Sequence, residues 1–314
     1  KIKQLLNLKE KTNKYMIMKK IATSLLLVAS SIFALGQGTP IPDTTGGPDT
    51  YGYSWISSLD TSGAGPTFDW IDIKSIGTMI SNLGDDNTTG PFPIGFSLPY
   101  YWYTASNFYI GSNGYIMFDK QTTISSTSNP FFPPFPNNDG HDNFVAPYLA
   151  DLNFTEDNSS ISVNPAAVYY WSNNVDSLIV TFDSVAFWDG ASGMNGFGGS
   201  NTFQVIFNGA DQSIRLNYLS QSGSWNASYN NGTGASQIGM ESVGDIAGLQ
   251  IASHVYPQDS LSILITLDED STFTVTDVSS TGNSSTRNDG IFVSSGTLDF
   301  GGDEITTFKT NVQN

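Results

Sequence analysis

The sequence predicts an all-β protein built as an antiparallel β-sandwich, and three observations support this prediction. Short segments alternate apolar and polar residues with a period of two, as in "SIRLNY" at residues 213–218 and "SLSILITL" at residues 260–267. The chain of 314 residues contains 31 glycines and is rich in Ser, Thr and Asn, a composition typical of short strands joined by turns. After residue 36, no segment shows the 3.6-residue periodicity of an amphipathic helix.

The N-terminal segment predicts export from the cell. A positive "MKK" at residues 18–20 precedes an apolar run at residues 21–33, and small residues follow in "ALG" at 34–36. The alternative is a membrane-spanning helix, but the run is shorter than the roughly 20 residues that a span needs. We therefore assign residues 18–36 to a signal peptide and residues 1–17 to a mis-called upstream start. We expect a secreted protein, extracellular or on the outer cell surface, with no membrane insertion after signal cleavage.

Charge and cysteine content exclude several classes of function. The whole chain has a net charge of −17. Loss of residues 1–36 removes seven of the 12 basic residues and one of the 29 acidic ones, which leaves 5 against 28, a net charge of −23. Such an acidic surface repels nucleic acid and anionic membranes, so neither is an expected partner. Because the chain contains no cysteine, disulfides and thiolate metal sites are excluded.

The first part of the exported chain is predicted to be irregular. Residues 37–50 are rich in Pro, Gly and Thr and are predicted to form a flexible leader. The alternation in "FDWIDI" at residues 68–73 predicts a strand. The segment 90–104, "GPFPIGFSLPYYWYT", contains three prolines, which favours an irregular edge strand because proline cannot donate to a ladder.

The segment "FYIGSNGYIMF" at residues 108–118 predicts a β-hairpin. Asn113-Gly114 is the preferred pair for a two-residue type I′ turn, in which both central residues need positive φ. The turn predicts three cross-strand pairs: Ser112 with Tyr115, Ile110 with Met117, and Tyr109 with Phe118. Both faces of this hairpin are then apolar, so we expect it to be covered on both sides and to act as scaffold.

The clearest strands lie later in the chain, at residues 177–188, 201–207, 213–218 and 260–267. Near residue 268 the sequence becomes polar and its strands become shorter. We therefore place the main β-sandwich at residues 51–268. Residues 269–314 are predicted to begin a second small β-sandwich module that is truncated.

A series of motifs resembles the nidogen-like (NIDO) extracellular domain. In chain order the motifs are "FYIGSNGYIMF", "VAPYLADLNF", "VYYW", "LIVTFDSVAFW", "NTFQVIF", "SIRLNY" and "IGMES", which together span roughly residues 91–267. The resemblance implies a non-catalytic adhesion or scaffolding domain of a secreted or cell-surface multidomain protein. Its implied partner is the extracellular matrix, a cell-surface protein or a glycan. "DTYGYSWISS" and "FPIGF" are also similar to leaders of large bacterial surface proteins exported by type IX secretion.

The alternative is an accessory domain of a secreted protease or glycoside hydrolase whose catalytic part lies outside this chain. Such an accessory domain could bind carbohydrate. Trp102 in "PYYWYT" and Trp188 before a glycine-rich loop at residues 189–200 offer flat aromatic faces for a sugar. Filling of the sandwich core is the competing interpretation, because large aromatic residues also occupy such cores.

The sequence itself predicts that the chain is not an enzyme. It holds two histidines, and His141 in "NNDGHDN" lies beside Asp139 and Asp142, as a Ser-His-Asp site would require. However, no Gly-x-Ser-x-Gly elbow accompanies it, and a solvated loop tip is the simpler interpretation. His254, just before a proline-containing segment, is expected to be structural.

Calcium is the one cofactor that the sequence suggests. "DDNTTG" at residues 85–90 begins like an oxygen-rich cation loop, but the twelfth position is Phe96, which excludes an EF-hand. Asp85, Asn87 and Asp151 are the candidate ligands. The alternatives are a turn satisfied by its own side chains at residues 85–90 and a carboxylate at Asp151 that caps backbone amides.

Overall fold

The computed structural model describes residues 41–119, 123–125, 132–155, 165–189, 196–222 and 236–267. Within these ranges the chain forms 15 strands in two antiparallel sheets and contains no α-helix. The predicted all-β sandwich is therefore confirmed. The signal peptide predicted at residues 18–36 and the second module predicted at residues 269–314 lie outside the described residues.

The larger sheet contains nine strands of the described chain. They are β1 (Thr45–Gly46), β2 (Tyr53–Ser57), β3 (Thr78–Ile80), β8 (Leu152–Asn153), β9 (Ala167–Ser172), β10 (Ser177–Asp189), β11 (Gly196–Asn208), β12 (Ser213–Ser222) and β15 (Leu261–Leu267). Their order is β1-β2-β15-β12-β11-β10-β9-β3, and β8 pairs with the second half of β10. The part of the predicted leader that is described packs onto this sheet, since β1 pairs with β2 and Ile41 is buried.

The smaller sheet contains the six remaining strands of the described ranges. They are β4 (Thr88–Tyr100), β5 (Tyr103–Gly111), β6 (Tyr115–Met117), β7 (Phe144–Leu149), β13 (Gln237–Glu241) and β14 (Gly248–Ser253), in the order β14-β13-β7-β6-β5-β4. The proline-containing β4 lies at the edge of this sheet, and its pairing with β5 shifts register twice. The predicted irregular edge strand is thus confirmed.

The main core lies between the two sheets. Phe182 and Phe203 of the larger sheet stack with ring centroids 4.7 Å apart, and Tyr148 of the smaller sheet meets Phe203 edge-on at 5.9 Å. The buried Tyr218 hydroxyl donates to the Pro147 carbonyl at 2.6 Å, which ties β12 to β7. A second, smaller core covers the opposite face of the smaller sheet, so β6 and β7 are buried on both sides. Its buried members are Tyr115, Met117, Ile124, Phe132, Phe135, Phe144, Ala146 and Leu149.

The hairpin at residues 108–118 forms with a register one residue away from the predicted one, so the predicted two-residue turn is wrong. The observed pairs are Tyr109 with Met117, Ile110 with Ile116 and Gly111 with Tyr115. The loop has three residues, in which Gly114 takes positive φ (79°) and Asn113 does not, as a type I turn followed by one left-handed residue requires. The buried Asn113 side chain bonds outside the hairpin: its Oδ1 accepts from the Leu152 amide at 3.0 Å. The expected cover on both faces is confirmed by the two cores.

The strand predicted at residues 68–73 is absent, although this segment lies against the larger sheet. Side chains of the sheet bind its backbone in place of a neighbouring strand. The Gln204 Nε2 donates to the Ile71 carbonyl at 2.7 Å, and the Asn217 Nδ2 donates to the Asp69 carbonyl at 2.8 Å. The alternation of apolar residues predicted neither a strand nor a common buried face, since Ile73 is buried while Ile71 is 39% exposed.

Candidate functional site

Acidic side chains collect at both ends of β7. Asp142 precedes this strand by two residues, and Asp151 follows its end by two residues. We name the two groups by their most buried acid. The Asp151 cluster is Asp85, Asp86 and Asp151. The Glu241 cluster is Asp139, His141, Asp142, Glu241 and Asp245.

In the Asp151 cluster, one carboxylate oxygen from each residue lies within 4.8 Å of the others. Asp85 is exposed, whereas Asp151 is only 5% exposed. An isolated bridge between Asp85 and Asn153 brings the loop before β4 against β8, and the Trp188 amide donates to the Asp151 carbonyl at 2.9 Å. Partial burial, and next the neighbouring Asp86 carboxylate, raise the pKa of Asp85 to about 6.

The structure therefore brings together two of the three predicted calcium ligands and adds one that the sequence interpretation missed. Asp86 directly follows Asp85, so the adjacent pair of acids was an available signal. A set of three carboxylates suits a hard cation such as calcium, which binds oxygen ligands. The Asp86 Oδ1 also accepts from the Asn113 Nδ2 at 2.7 Å, which links the cluster to the buried hairpin.

The third predicted ligand, Asn87, closes its own loop. Its Oδ1 accepts from the Gly84 amide at 2.8 Å, and its Nδ2 donates to the Asn82 carbonyl at 2.7 Å. These contacts fit the alternative interpretation of a turn satisfied by its own side chains. The prediction of calcium binding stays a prediction, and Asp86 replaces Asn87 as the better third oxygen ligand.

The Glu241 cluster is centred on a carboxyl group that is fully buried. The Glu241 Oε1 accepts from the Asn137 amide at 2.9 Å, and Asp245 is the nearby acid that acts on the Glu241 carboxyl group. Burial, together with the Asp245 charge and despite the Asn137 hydrogen bond, raises the pKa of Glu241 from 4.5 to about 9. Burial and then the Asp142 charge also raise the pKa of Asp245. Sequence interpretation missed this pair, although an acid ends the apolar strand "QIGME".

The two histidines occupy loop or strand-end positions. The His141 Nδ1 lies 3.2 Å from the Asp139 Oδ1, which also accepts from the His141 amide at 2.9 Å. This local hydrogen bond raises the pKa of His141. His254 follows β14, and its amide donates to the Ser236 carbonyl at 2.8 Å. Both contacts agree with the predicted loop and structural roles.

The two tryptophans singled out as candidate sugar-binding residues differ in their surroundings. Trp102 lies in the turn between β4 and β5 and is 38% exposed. Its ring meets Tyr51 edge-on at 4.8 Å and stacks on Tyr101 at 6.1 Å, which holds it rigidly at the surface. Trp188 is half-buried in β10, where its backbone binds Asp151.

A family model described as NIDO related matches residues 60–275 of this chain. No curated protein and no solved structure matches it. Over the part of the chain that is described, no helix has the length and apolar character needed to cross a membrane.

Proposed function

The chain belongs to the NIDO-related family, and from this premise we propose that it is an adhesion or scaffolding domain of a secreted or cell-surface multidomain protein. The family is typically extracellular and is not a known catalytic family. The observation that carries the proposal is the match over residues 60–275, which includes every strand of the sandwich from β3 to β15.

The charge distribution supports a partner that is basic or bridged by cations. In the described ranges, two basic residues, Lys74 and Arg215, stand against eighteen acidic ones. Lys74 forms a 2.6 Å salt bridge with Asp183, and the Arg215 Nη1 donates to the Thr67 carbonyl. Both cations are thus engaged within the domain, and carboxylates dominate the surface that a matrix protein, a cell-surface protein or a glycan would meet.

Binding of the chain from residue 37 onward to immobilised matrix proteins, whole cells and glycans tests this proposal. We expect retention on at least one protein or cell surface, weakened when NaCl is raised because charge complementarity is screened. Retention that is absent on every surface, with and without added calcium, would contradict the proposal.

A second candidate function, a carbohydrate-binding accessory domain of a secreted hydrolase, is favoured by the exposed and ring-supported Trp102. Trp102→Ala is expected to abolish glycan retention while the melting temperature stays unchanged. Met79→Ala, which removes a side chain from a residue that is 59% exposed on β3, is the matched control. Glycan retention by the Trp102 variant would exclude this candidate.

Export through type IX secretion also belongs to the proposal, on the similarity of the leader segments at residues 49–58 and 92–96. A host that lacks the type IX outer-membrane machinery is expected to retain the protein in the periplasm. Normal secretion by such a host would assign export to another route.

A further inference from the structure

Two carboxyl oxygens in the Glu241 cluster are shielded from solvent and lack a donor within the described part of the chain. The Glu241 Oε2 and the Asp245 Oδ1 are both shielded from water, and neither accepts a hydrogen bond from an N–H or O–H group of the described residues. Each carboxyl group shifts the pKa of the other, so the two side chains are close neighbours. If both were ionised, two shielded acceptors of like charge would lie side by side, which is unfavourable.

The charged and titratable neighbours of this pair are mostly acidic, and among the described residues His141 opposes them by lowering the pKa of Asp245. Asp139 and Asp142, from the loop before β7, are also acidic, and His141 forms its hydrogen bond with Asp139. From β4, the Tyr100 hydroxyl donates to the backbone carbonyls of Glu241 and Phe144 and not to the carboxyl group. The basic side chains of Lys74 and Arg215 are bound elsewhere.

We propose that Glu241 and Asp245 share one proton at neutral pH, and that this carboxyl–carboxylate hydrogen bond clamps the loop at residues 137–142 onto the turn Val243–Asp245. Glu241 donates the proton and Asp245 accepts it, so both orphaned oxygens are satisfied by a single hydrogen. The proposal concerns the fold alone and does not depend on the adhesive function.

The clamp joins two segments that contact each other at further points. The Glu241 Oε1 accepts from the Asn137 amide, at one side of the loop. The Gly244 amide donates to the Asp142 carboxylate, at the other side of the loop. Loss of the shared proton places two negative charges in contact between these points. The expected result is separation of the turn from the loop at this end of β7.

The sign of the pH effect follows from the pKa of Glu241, which burial raises from 4.5 to about 9. The folded state then keeps a proton that the unfolded state releases. The clamp's contribution is complete below the ordinary pKa and is lost as the pH rises through about 9. This end of the sandwich is therefore stabilised by acid and weakened by alkali.

Carbon-13 NMR of glutamate carboxyl groups tests the proposal directly on the chain from residue 37 onward. Four glutamates remain there, Glu156, Glu241, Glu269 and Glu304, so the spectrum is simple. We expect one signal to remain protonated at pH 7 and to be absent from Glu241→Gln. Titration of all four signals below pH 6 would overturn the proposal. If the variant fails to fold, through-bond assignment of the unchanged chain gives the same readout.

Two further variants test whether Asp245 is the group that shares the Glu241 proton. Asp245→Asn removes the facing charge, so the Glu241 midpoint should fall by at least one pH unit. Asp43→Asn, which removes an exposed acid elsewhere, should leave it unchanged. An unaltered midpoint in Asp245→Asn would overturn the shared proton. So would a Glu241 signal that responds to millimolar calcium at constant pH, because the pair would then be a cation site.

Discussion

The two ends of β7 hold acidic clusters that each contain one buried acid, but the acid with the strongly raised pKa is the exposed Asp85 at one end and the buried Glu241 at the other. At the Asp151 cluster, three carboxylates converge within 4.8 Å and Asp85 is open to solvent. At the Glu241 cluster, the central carboxyl group is closed off completely. Two carboxylates about 4 Å apart repel each other by roughly 4 kcal/mol at an effective dielectric constant of 20. Each end must relieve that repulsion differently: the open cluster can exchange ions with solvent, whereas the closed pair can retain a proton.

The surroundings of an acid decide its chemistry more than the number of acids nearby. The pKa of Asp85 rises to about 6, so this group is largely ionised at neutral pH and can bind a cation. The pKa of Glu241 rises to about 9, so this group is largely protonated at neutral pH and can donate a hydrogen bond.

The largest expected effect comes from removing the buried support of the Asp151 cluster. Asn113→Ala leaves the buried Leu152 amide and Ile124 carbonyl without their partner and releases Asp86. We expect the free energy of unfolding to fall by about 3 kcal/mol. Urea denaturation measures this, and a loss below about 0.5 kcal/mol would show that Asn113 does not organise this end.

Asn107, on strand β5 of the same hairpin, is a matched control for Asn113. The exposed Asn107 side chain donates to the Ser106 hydroxyl at 3.1 Å. Asn107→Ala should change the free energy of unfolding by less than about 0.5 kcal/mol, as is usual for a surface substitution.

The next largest effect concerns the closed pair. Glu241→Gln keeps the shape, donates an N–H to Asp245 at every pH, and removes the group that must stay protonated. We expect it to be more stable than the unchanged chain by about 2 kcal/mol at pH 8 and by less at pH 5. Thermal unfolding across this range is the measurement. A variant less stable at pH 8 than at pH 5 by the same margin as the unchanged chain would contradict the assignment.

Calcium should have a smaller effect on the free energy of unfolding, and it should act through the Asp151 cluster and not through the Glu241 cluster. If the Asp151 cluster binds calcium, millimolar calcium stabilises the chain by mass action, by about 1–2 kcal/mol if its concentration is roughly ten times the dissociation constant. Asp86→Asn should lose this stabilisation, while Glu241→Gln should keep it. Calorimetric titration with calcium chloride measures the binding, and equal calcium responses in all three proteins would refute the predicted site.

Sequence patterning was sufficient for the sandwich because period-two alternation reports which side chains face the core. Phe203, Val205 and Phe207 alternate along β11 and are all buried in the main core, as predicted. The hairpin register could not be predicted in the same way. Asn-Gly favours a two-residue turn locally, but in the observed loop Asn113 accepts a hydrogen bond from the Leu152 amide, 39 residues away, and no local pattern predicts that contact.

The candidate sites were predictable only in part, for a similar physical reason. Asp85 was found because "DDNTTG" begins like an oxygen-rich cation loop and Asp151 because it follows an apolar strand, and the fold does bring the two together. Glu241 was missed because nothing in "QIGMES" states that its side chain is buried. The Glu241 side chain contacts the loop at residues 137–142, where the Asn137 amide donates to it, and this loop lies about a hundred residues earlier in the chain.

The smallest expected effect is also the most discriminating, because salt screens exposed charges and not buried ones. Raising NaCl from 0.05 to 0.5 M should lower the midpoint of Asp85 by a fraction of a pH unit, since the Asp86 charge contributes to its raised pKa. The midpoint of Glu241 should shift less, because its own carboxyl group is fully buried whereas Asp85 is exposed. Carboxyl-labelled NMR at the two salt concentrations follows both groups in one sample. Equal shifts of the Asp85 and Glu241 midpoints would mean that salt reaches both clusters equally. That result would contradict the proposed difference between an Asp151 cluster that exchanges ions and a Glu241–Asp245 pair that holds a proton.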